Sequence, residues 1–428
     1  MQTLEKELTK KDKFLQPLSE SLEGVSAHVP EKIKKEAKAA LEELHLPTRK
    51  TEAYKYTRVN KIVNGEWKTG DGSVEVNLLD KNIPSIDAWK AVFVNGIYRA
   101  DLSDLDTLQN GISCHAISDL DSSDLEGIYG AQSDHSTEIF SALNTAYSTG
   151  GLFIKAEKGI VSEKPIHIVH ITTEKNAIAQ PHHILKAETN SKLEVVQSFV
   201  SQGESECFTN SLTEVLVEKN AELKLDKIQS IGSEDHHLST ECVKQEKDSR
   251  FSINSMQIRG GWIRNNLNIS SGEHCSSNLF GAYMPDGQEH VDNHTRVDHT
   301  LPHSESNELY KGIAKDKGTG VFNGKVHVHP HAQLTNAFQS NGNILMTDDA
   351  TIHSKPELEI YADDVQCSHG STTGQFDEEA VYYLRARGLS EESARKMLTS
   401  AFLSEAFENI SNDALRVFVE GAFEEKNS

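Results

Sequence analysis

The 428-residue sequence is short of positive charge. It has 43 Lys and Arg against 65 Asp and Glu, so its formal net charge is −22 with His neutral. Because phosphate backbones are bound by clustered Lys and Arg, this balance argues against a nucleic-acid partner. No polybasic segment is present to hold an anionic membrane, and no stretch approaches the ~18 apolar residues of a spanning helix. We therefore expect no membrane partner. The amino terminus also lacks the apolar region of a secretory signal.

Cysteine is sparse as well. The number is odd, no C-x-x-C pair occurs, and the five residues are scattered at Cys114, Cys207, Cys242, Cys275 and Cys367. This pattern argues against a disulfide framework and against a structural zinc site of the usual spacing. A reducing cytoplasm is therefore the expected compartment. A phosphate loop is missing too, because the glycines at 318–324 are not followed by Gly-Lys-Ser/Thr. If the protein works with ATP, another chain must supply the ATPase.

Residues 1–60 predict an amino-terminal helical segment. Lys, Glu, Leu and Ala dominate there. Leu4 and Leu8 begin a loose apolar stripe, and Ile33, Ala37 and Leu41 lie on one face of a second amphipathic run.

A basic and aromatic segment follows at 48–57. It contains Tyr54 and Tyr56 among Lys and Arg residues. It is either a charged loop whose tyrosines pack on the main body or a functional surface, and the spacing does not choose between the two.

The middle of the chain changes from mixed structure to strands. Residues 61–150 predict a mixed α/β lead-in with a strand–turn–strand at 91–98 and a short helix at 136–147. From 151 to 375 short alternating segments follow one another between Gly, Asn, Asp and Ser turns. Such a long all-β tract fits either a solenoid of stacked turns or a pair of sandwiches. No strict repeat is visible, so periodicity leaves both open.

Residues 376–428 predict a return to helix. Asp377 begins one helix and Ser390 caps the next, because acidic and hydroxyl side chains satisfy free backbone N–H groups at a helix start. The second helix carries an apolar stripe of Ala394, Met397, Leu398, Ala401, Phe402 and Ala406. The stripe either packs against the strands and the neighbouring helices or forms a groove for a partner.

Two histidine series are candidates for metal binding. His327, His329 and His331 alternate, so in a strand they share one face and could share a metal. Pro330 interrupts that strand pattern and no carboxylate lies at a helpful offset nearby, which favours a solvated polar face. The second series is His290, His294, His299 and His303 with Asp292 and Asp298. Its spacings match no known ligand pattern, which favours loop and strand-end residues that bond locally.

The sharpest candidate site is the pair Cys367 and His369. Two residues apart in a strand, they lie on the same face, and a thiolate with an imidazole can bind iron, zinc or the edge of a cluster. Two ligands do not complete a site, so the alternative is a buried thiol beside a locally bonded histidine. A Cys-His hydrolase is disfavoured because no oxyanion-type element accompanies the pair.

The carboxy-terminal third resembles the SufB/SufD family of iron–sulfur cluster assembly proteins. The motifs are long and ordered: LYKG at 309–312, GVFNGKV at 320–326, AQLTNAFQ at 332–339, KPELEIYADDV at 355–365, CSHG at 367–370, GQFDEE at 374–379 and YLRARG at 383–388. The amino-terminal LPTRKTEAYKYT at 46–57 and the chain length resemble the SufD branch of that family.

The resemblance implies a mainly β fold, a right-handed parallel β-helix flanked by amino- and carboxy-terminal helical segments. It implies four parts: helical 1–60, a lead-in at 61–150, the β-helix at 151–375 and a docking domain at 376–428. It also implies a non-catalytic subunit that forms a heterodimer with a SufB homologue and carries a SufC ABC-type ATPase on its last helices. The SufC contact would involve Tyr383, Arg385, Met397, Leu398 and Phe402.

In such a complex, Cys367 and His369 would handle iron or a nascent cluster at the SufB–SufD interface, with no cofactor tightly bound to the isolated chain. A lone cysteine leaves most cluster ligands to the partner, since a cluster usually takes four. Two alternatives stay open. One is a metal-dependent β-helix enzyme that uses the His-rich strands, and the other is a structural module that forms a homodimer when isolated.

Overall fold

The computed structural model describes residues 9–26, 28–203 and 206–427. Leu4 and Leu8 of the predicted stripe lie outside these residues. The described helices are α1 (Lys10–Leu22), α2 (Glu31–Glu43), α3 (Asn60–Asn64), α4 (Ser122–Leu125), α5 (Ile139–Tyr147), α6 (Glu378–Ala386), α7 (Glu391–Phe407) and α8 (Asp413–Lys426). None of them is long and apolar enough to cross a bilayer.

Strands outweigh helices, at 41% of the chain against 22%. They are β1 (Lys68–Thr69), β2 (Trp89–Val94), β3 (Ile97–Tyr98), β4 (Ile112–Ala116), β5 (Leu152–Ala156), β6 (Ile166–Thr172), β7 (Ala177–Ala179), β8 (His182–Ala187), β9 (Lys192–Ser201), β10 (Phe208–Val217), β11 (Glu222–Ser230), β12 (His236–Gln245), β13 (Arg250–Arg259), β14 (Trp262–Ser271), β15 (Ser276–Tyr283), β16 (His290–His299), β17 (Glu305–Ala314), β18 (Thr319–Val328), β19 (Thr335–Leu345), β20 (Thr351–Ile360) and β21 (Val365–Gln375).

Consecutive strands from β8 onward alternate between two sheets. Sheet A runs in the order β20-β18-β16-β14-β12-β10-β8-β5-β4, and sheet B in the order β21-β19-β17-β15-β13-β11-β9-β6-β2-β3. Pairing is parallel and joins Lys192 to Glu222, Glu222 to Arg250 and Arg250 to Ser276, so one turn takes about 30 residues. The chain therefore forms a parallel β-helix of about 8 turns, which confirms the predicted fold and excludes the paired sandwiches.

One corner of this β-helix repeats a backbone conformation. Asn190, Asn220, Asp248, His274 and His303 follow successive strands of sheet A, and each has a φ between 54° and 64°. Asn and Asp tolerate this left-handed conformation because their short polar side chains bond locally. The side chains also stack: the Asn220 amide donates to Asn190 at 2.8 Å, and the rings of His274 and His303 lie 4.4 Å apart and nearly parallel.

The amino-terminal helices cover the outer face of sheet A. Phe14, Leu18 and Leu22 of α1 are buried, and with Phe140 of α5 they join a cluster that includes Phe208 on β10. The predicted stripe of the first helix is thus an inner face. The predicted hairpin is present as the antiparallel pair β2 and β3, and the predicted helix at 136–147 begins slightly later, at Ile139.

The carboxy-terminal helices cover the outer face of sheet B. Leu403, Phe407 and Leu415 pack with Ile228 and Met256 of that sheet, among others. The predicted caps are also present. Asp377 accepts from the backbone of Glu379 and Ala380, and Ser390 accepts from the backbone of Ser393.

Candidate functional site

The carboxy-terminal end of the β-helix is open. β20 and β21 are the last strands of their sheets, and no further strand lies beside them among the described residues. The first half of β19 alternates between buried and exposed residues, whereas β21 has no buried residue. Two strands of 10 and 11 residues therefore present unpaired backbone groups at one edge of the molecule.

Cys367 and His369 lie on β21, at this open end. They pair in register with Ala337 and Gln339 of β19, which are both buried inside the β-helix. Side chains alternate along a strand, so Cys367 and His369 lie on one face, the face toward the interior. Cys367 is half-buried and packs with the apolar cluster that includes Val326, while His369 is exposed.

His369 continues a column of polar residues. Glu308, Gln339 and His369 stand in register on three successive strands of sheet B, and the Gln339 amide donates to Glu308 Oε2 at 2.6 Å. Burial raises the pKa of Glu308 to about 7, although the hydrogen bond from Gln339 opposes this shift. A protonatable carboxyl therefore lies two strands below the exposed imidazole.

Cys367 differs from the other cysteines in its position. Cys207, Cys242 and Cys275 are buried, and Cys114 is half-buried on β4 near the opposite end. Burial raises the pKa of the Cys367 thiol, although the backbone N–H of Ala337 opposes the shift, so the thiol is protonated near neutral pH. No group of three or more metal-ligating side chains within 9–26, 28–203 and 206–427 includes Cys367. Among the described residues, the pair therefore has no third ligand in place.

The prediction that His327, His329 and His331 share one strand is only partly correct. β18 ends at Val328, so His327 lies in a strand and His329 and His331 do not. The expectation that no carboxylate lies nearby was wrong, because strand pairing places Asp298 of the preceding turn and Glu359 of the next beside His327.

Asp298, His327 and His329 form a possible metal-binding group. One ligand atom from each lies within 4.8 Å of the other two. His327 Nδ1 lies 2.9 Å from Glu359 Oε2, so this carboxylate can orient the ring or act as a further ligand. Arg296 donates to both oxygens of Asp298, which opposes cation binding. His331 is outside the group.

In the second histidine series, His290 and His299 are the two end residues of β16, as expected, whereas His294 lies inside that strand. His290 bonds the Thr57 hydroxyl at 3.0 Å, His294 pairs with Asp292 at 3.1 Å, and His299 bonds Ser306 at 2.9 Å. The local bonding that the sequence favoured is therefore present for His294 and His299, whereas His290 bonds a residue 233 positions away. His303 belongs to the corner stack described above.

Tyr54 of the basic and aromatic segment packs on the β-helix, as the first of the two alternatives expects, whereas the cationic side chains of the segment stay exposed. Tyr54 is buried, its ring lies 3.9 Å from the Arg264 guanidinium carbon, and its hydroxyl donates to Glu138 at 2.9 Å. Arg264 also pairs with buried Asp292. Burial alone would raise the pKa of Asp292. The charges of His294 and Arg264 instead hold this pKa well below its usual value. The sequence did not predict this anchor, because Arg264 is about 210 residues from Tyr54 and only folding brings them together.

Of the five residues expected to contact an ATPase, three are exposed and two are half-buried. Tyr383 on α6 and Met397 on α7 are 56% and 52% exposed, and Tyr382 beside them is 75% exposed. Arg385 is exposed and pairs with Glu391 at 3.2 Å.

The rest of the stripe on α7 serves packing. Ala394 and Ala406 are buried, and Leu398 and Phe402 are half-buried, with the Lys311 ammonium 4.7 Å from the Phe402 ring centre. Packing therefore accounts for these four residues, whereas Met397 and Ala401 of the stripe are exposed.

Comparisons with known proteins agree with the motifs. A family model described as "SUF system FeS cluster assembly, SufBD core domain" matches residues 170–402, and one described as "SufBD protein N-terminal region" matches residues 9–168.

Three similar proteins span nearly the same length. The chain is 32% identical to the iron–sulfur cluster assembly protein SufD of Escherichia coli over 87% of each chain. It is 29% identical to a SufBD family protein of Synechocystis, over 94% of this chain and 92% of that protein. It is 28% identical to a chloroplastic protein of Arabidopsis thaliana, over 95% of this chain and 89% of that protein.

Proposed function

The chain belongs to the SufBD family of the SUF iron–sulfur cluster assembly system, and we propose that it is a non-catalytic, SufD-type subunit that pairs with a SufB homologue. The open end of the β-helix carries this proposal. Terminal turns of solenoid proteins need a cover, and long unpaired edge strands promote association. A SufB homologue that adds its own strands to β20 and β21 would cover that edge.

The proposed role of Cys367 and His369 follows from their place at this edge. Cys367 supplies a soft thiolate ligand and His369 a borderline imidazole ligand. Two ligands are too few for iron or a cluster, so the SufB homologue would supply the others. Iron and the nascent cluster are then cargo at the junction. A partner that brings cations or a metal to the thiol would offset the effect of burial on its pKa. The isolated chain would hold no cofactor tightly and could pair with a second copy at the same edge.

We further propose that the ATPase of the complex, a SufC homologue, binds the exposed residues on α6 and α7. Tyr383, Arg385 and Met397 offer an aromatic ring, a guanidinium and a flexible apolar side chain, which are common at protein interfaces. Leu398 and Phe402 would support this surface from below. Acidic groups on these helices could meet basic groups on the ATPase, so its affinity should fall as salt rises.

Purification of the native complex from the reducing cytoplasm, where we expect the protein to act, tests the pairing. We expect both a SufB homologue and an ABC-type ATPase to accompany the chain. Recovery of neither would contradict the proposal. Replacing Tyr383→Ala with Met397→Ala should release the ATPase and leave the SufB homologue bound. Val417→Ala is a matched control, because Val417 is 65% exposed on α8 and outside the proposed contact.

Iron and sulfide analysis of the complex tests the site. Cys367→Ala and His369→Ala should each lower the cluster yield and leave the unfolding transition unchanged. Cys114→Ala and His331→Ala are matched controls, since they remove the same groups elsewhere. Wild-type iron loading in both site variants would contradict the role of Cys367 and His369.

The Asp298, His327 and His329 group supports a second candidate, a metal-dependent role for the His-rich turns. This candidate predicts stoichiometric zinc or iron in the isolated chain, lost when His327→Ala and His329→Ala are combined and retained in His331→Ala. Metal analysis without stoichiometric metal would exclude it.

A further inference from the structure

A cleft of about 860 Å³ lies between the basic segment and the outer face of sheet A. One wall carries four cationic side chains, Arg49, Lys55, Arg58 and Lys61. The opposite wall comes from the first residues of β14, β16, β18 and β20. This volume is in the range of small-molecule sites in proteins.

The charge of the cleft is opposite to that of the molecule. Among the described residues, no Asp or Glu lines it, although the chain has 65 acids and a net charge of −22. Arg49, Lys55 and Arg58 make no ion pair with any residue that the structure describes, and Lys61 reaches only Glu234, at 4.0 Å. Four cations in one concavity repel one another, and a bound anion would relieve that repulsion.

The opposite wall offers hydrogen-bond donors. Trp262 is 7% exposed, lines the cleft, and its indole N–H has no hydrogen-bond partner among the described residues. A buried donor without a partner costs free energy, so an acceptor that reaches this N–H from the cleft would be stabilised by it. The hydroxyls of Thr319 and Thr351 line the same wall.

The cationic wall is held in place. Tyr54 is anchored between Arg264 and Glu138, and the Thr57 hydroxyl donates to buried Asp292. Tyr56 stacks on His353 of β20, with ring centres 4.0 Å apart. Lys55 and Arg58 are therefore next in sequence to anchored residues, which lowers the entropy cost of binding an anion there.

We propose that this cleft binds a small molecule that carries two or more phosphates and is about the size of a nucleotide. The number of cations and the volume exceed what one phosphate needs. A nucleic-acid polymer is disfavoured, because its many phosphates would meet the acidic remainder of the surface. The proposal does not depend on the pairing with a SufB homologue.

Equilibrium dialysis of the full-length chain with ADP, pyrophosphate and adenosine tests it. We expect ADP and pyrophosphate to bind, adenosine not to bind, and the affinity to fall as salt rises. Arg49→Glu with Arg58→Glu should weaken ADP binding by about tenfold or more, and Lys55→Ala with Lys61→Ala should weaken it less. Both pairs are exposed, and circular dichroism would verify that the variants are folded.

Lys219→Glu with Lys244→Glu is the matched control. It changes the net charge as the first pair does, at exposed lysines outside the cleft. Its effect should be small and should vanish at high salt. Three results would overturn the proposal: no binding of ADP or pyrophosphate up to about 1 mM, adenosine bound as tightly as ADP, or equal losses in the control and in Arg49→Glu with Arg58→Glu.

Discussion

The two ends of the β-helix are finished in different ways. At the amino-terminal end each sheet finishes in a short antiparallel strand, with β4 of 5 residues beside β5 and β3 of 2 residues beside β2. Helices α1, α2 and α5 then cover the outer face of sheet A near that end. At the carboxy-terminal end, the long strands β20 and β21 have no further strand beside them among the described residues.

This difference between the two ends indicates that the exposed edges of the β-helix have two different roles. Both ends face the same physical problem, because an edge strand exposes backbone groups that pair with any suitable chain. At one end the chain limits the exposed edges to β4 and β3, which have only 5 and 2 residues. At the other end it leaves the edge free and places Cys367 and His369 there. The first end serves stability, and we infer that the second serves assembly.

The largest expected effect is on the stability of the covered end. Phe140 is fully buried between Phe14 and Phe208, with ring centres 6.5 and 6.2 Å away. Phe140→Ala should lower the free energy of unfolding by about 3–5 kcal/mol, because it leaves a cavity. Leu358→Ala at the open end removes a half-buried side chain and should cost about 1–2 kcal/mol. Urea denaturation measures both, and equal losses would mean that the two ends are packed equally well.

The next effect is on association at the open end. Gln366→Lys with Ser368→Lys adds two charges to the edge strand β21, and charged side chains are how proteins protect an edge from pairing. We expect affinity for the SufB homologue to fall by about 100-fold, or roughly 3 kcal/mol. The unfolding free energy should stay unchanged.

The control for this prediction places two lysines on the neighbouring strand β19 instead. Asn336 and Ser340 are exposed on the outer face of β19. Asn336→Lys with Ser340→Lys should leave most of the affinity, since β19 is already paired on both sides. If the two double variants weaken binding equally, the contact is with the sheet face and not with the edge.

The sequence predicted the elements better than their arrangement. Caps at Asp377 and Ser390 and the alternation of the strands are local, and local physics decides them. The turn length of about 30 residues was missed because the repeat is in conformation and not in residue type. The corner that marks each turn is occupied by Asn, Asp or His, and Leu334 occupies it between β18 and β19.

In the candidate site, too, local spacing could be predicted from the sequence but contacts between strands could not. Cys367 and His369 are two residues apart, so their shared face could be predicted from strand alternation alone. Asp298 and His327 are neighbours only because β16 and β18 pair in that register, which the sequence does not display.

A smaller effect is expected from the buried carboxyl below the open end. Burial raises the pKa of Glu308 to about 7, above its value in the unfolded chain, so its contribution to stability is full below the unfolded pKa and is lost as pH rises through about 7. Glu308→Gln should remove that loss and stabilise the chain at pH 8 by about 2 kcal/mol relative to wild type. Urea denaturation at pH 5 and pH 8 measures the difference. A pH-independent difference between the two proteins would mean that Glu308 does not titrate in this range.

The smallest effect compares one cysteine from each end. Cys367 and Cys114 are both half-buried, and burial raises the pKa of both thiols, that of Cys114 to about 12. Because the thiolate is the nucleophile, alkylation of each should accelerate as pH rises toward its pKa. Cys367 should react about tenfold faster at pH 8, because β21 has no buried residue and opens readily, whereas Cys114 packs against the main apolar core. Mass spectrometry after timed iodoacetamide treatment reads both sites in one sample. Adding the SufB homologue should slow Cys367 alone, and protection of Cys114 as well would mean that the partner tightens the whole β-helix instead of covering its open end.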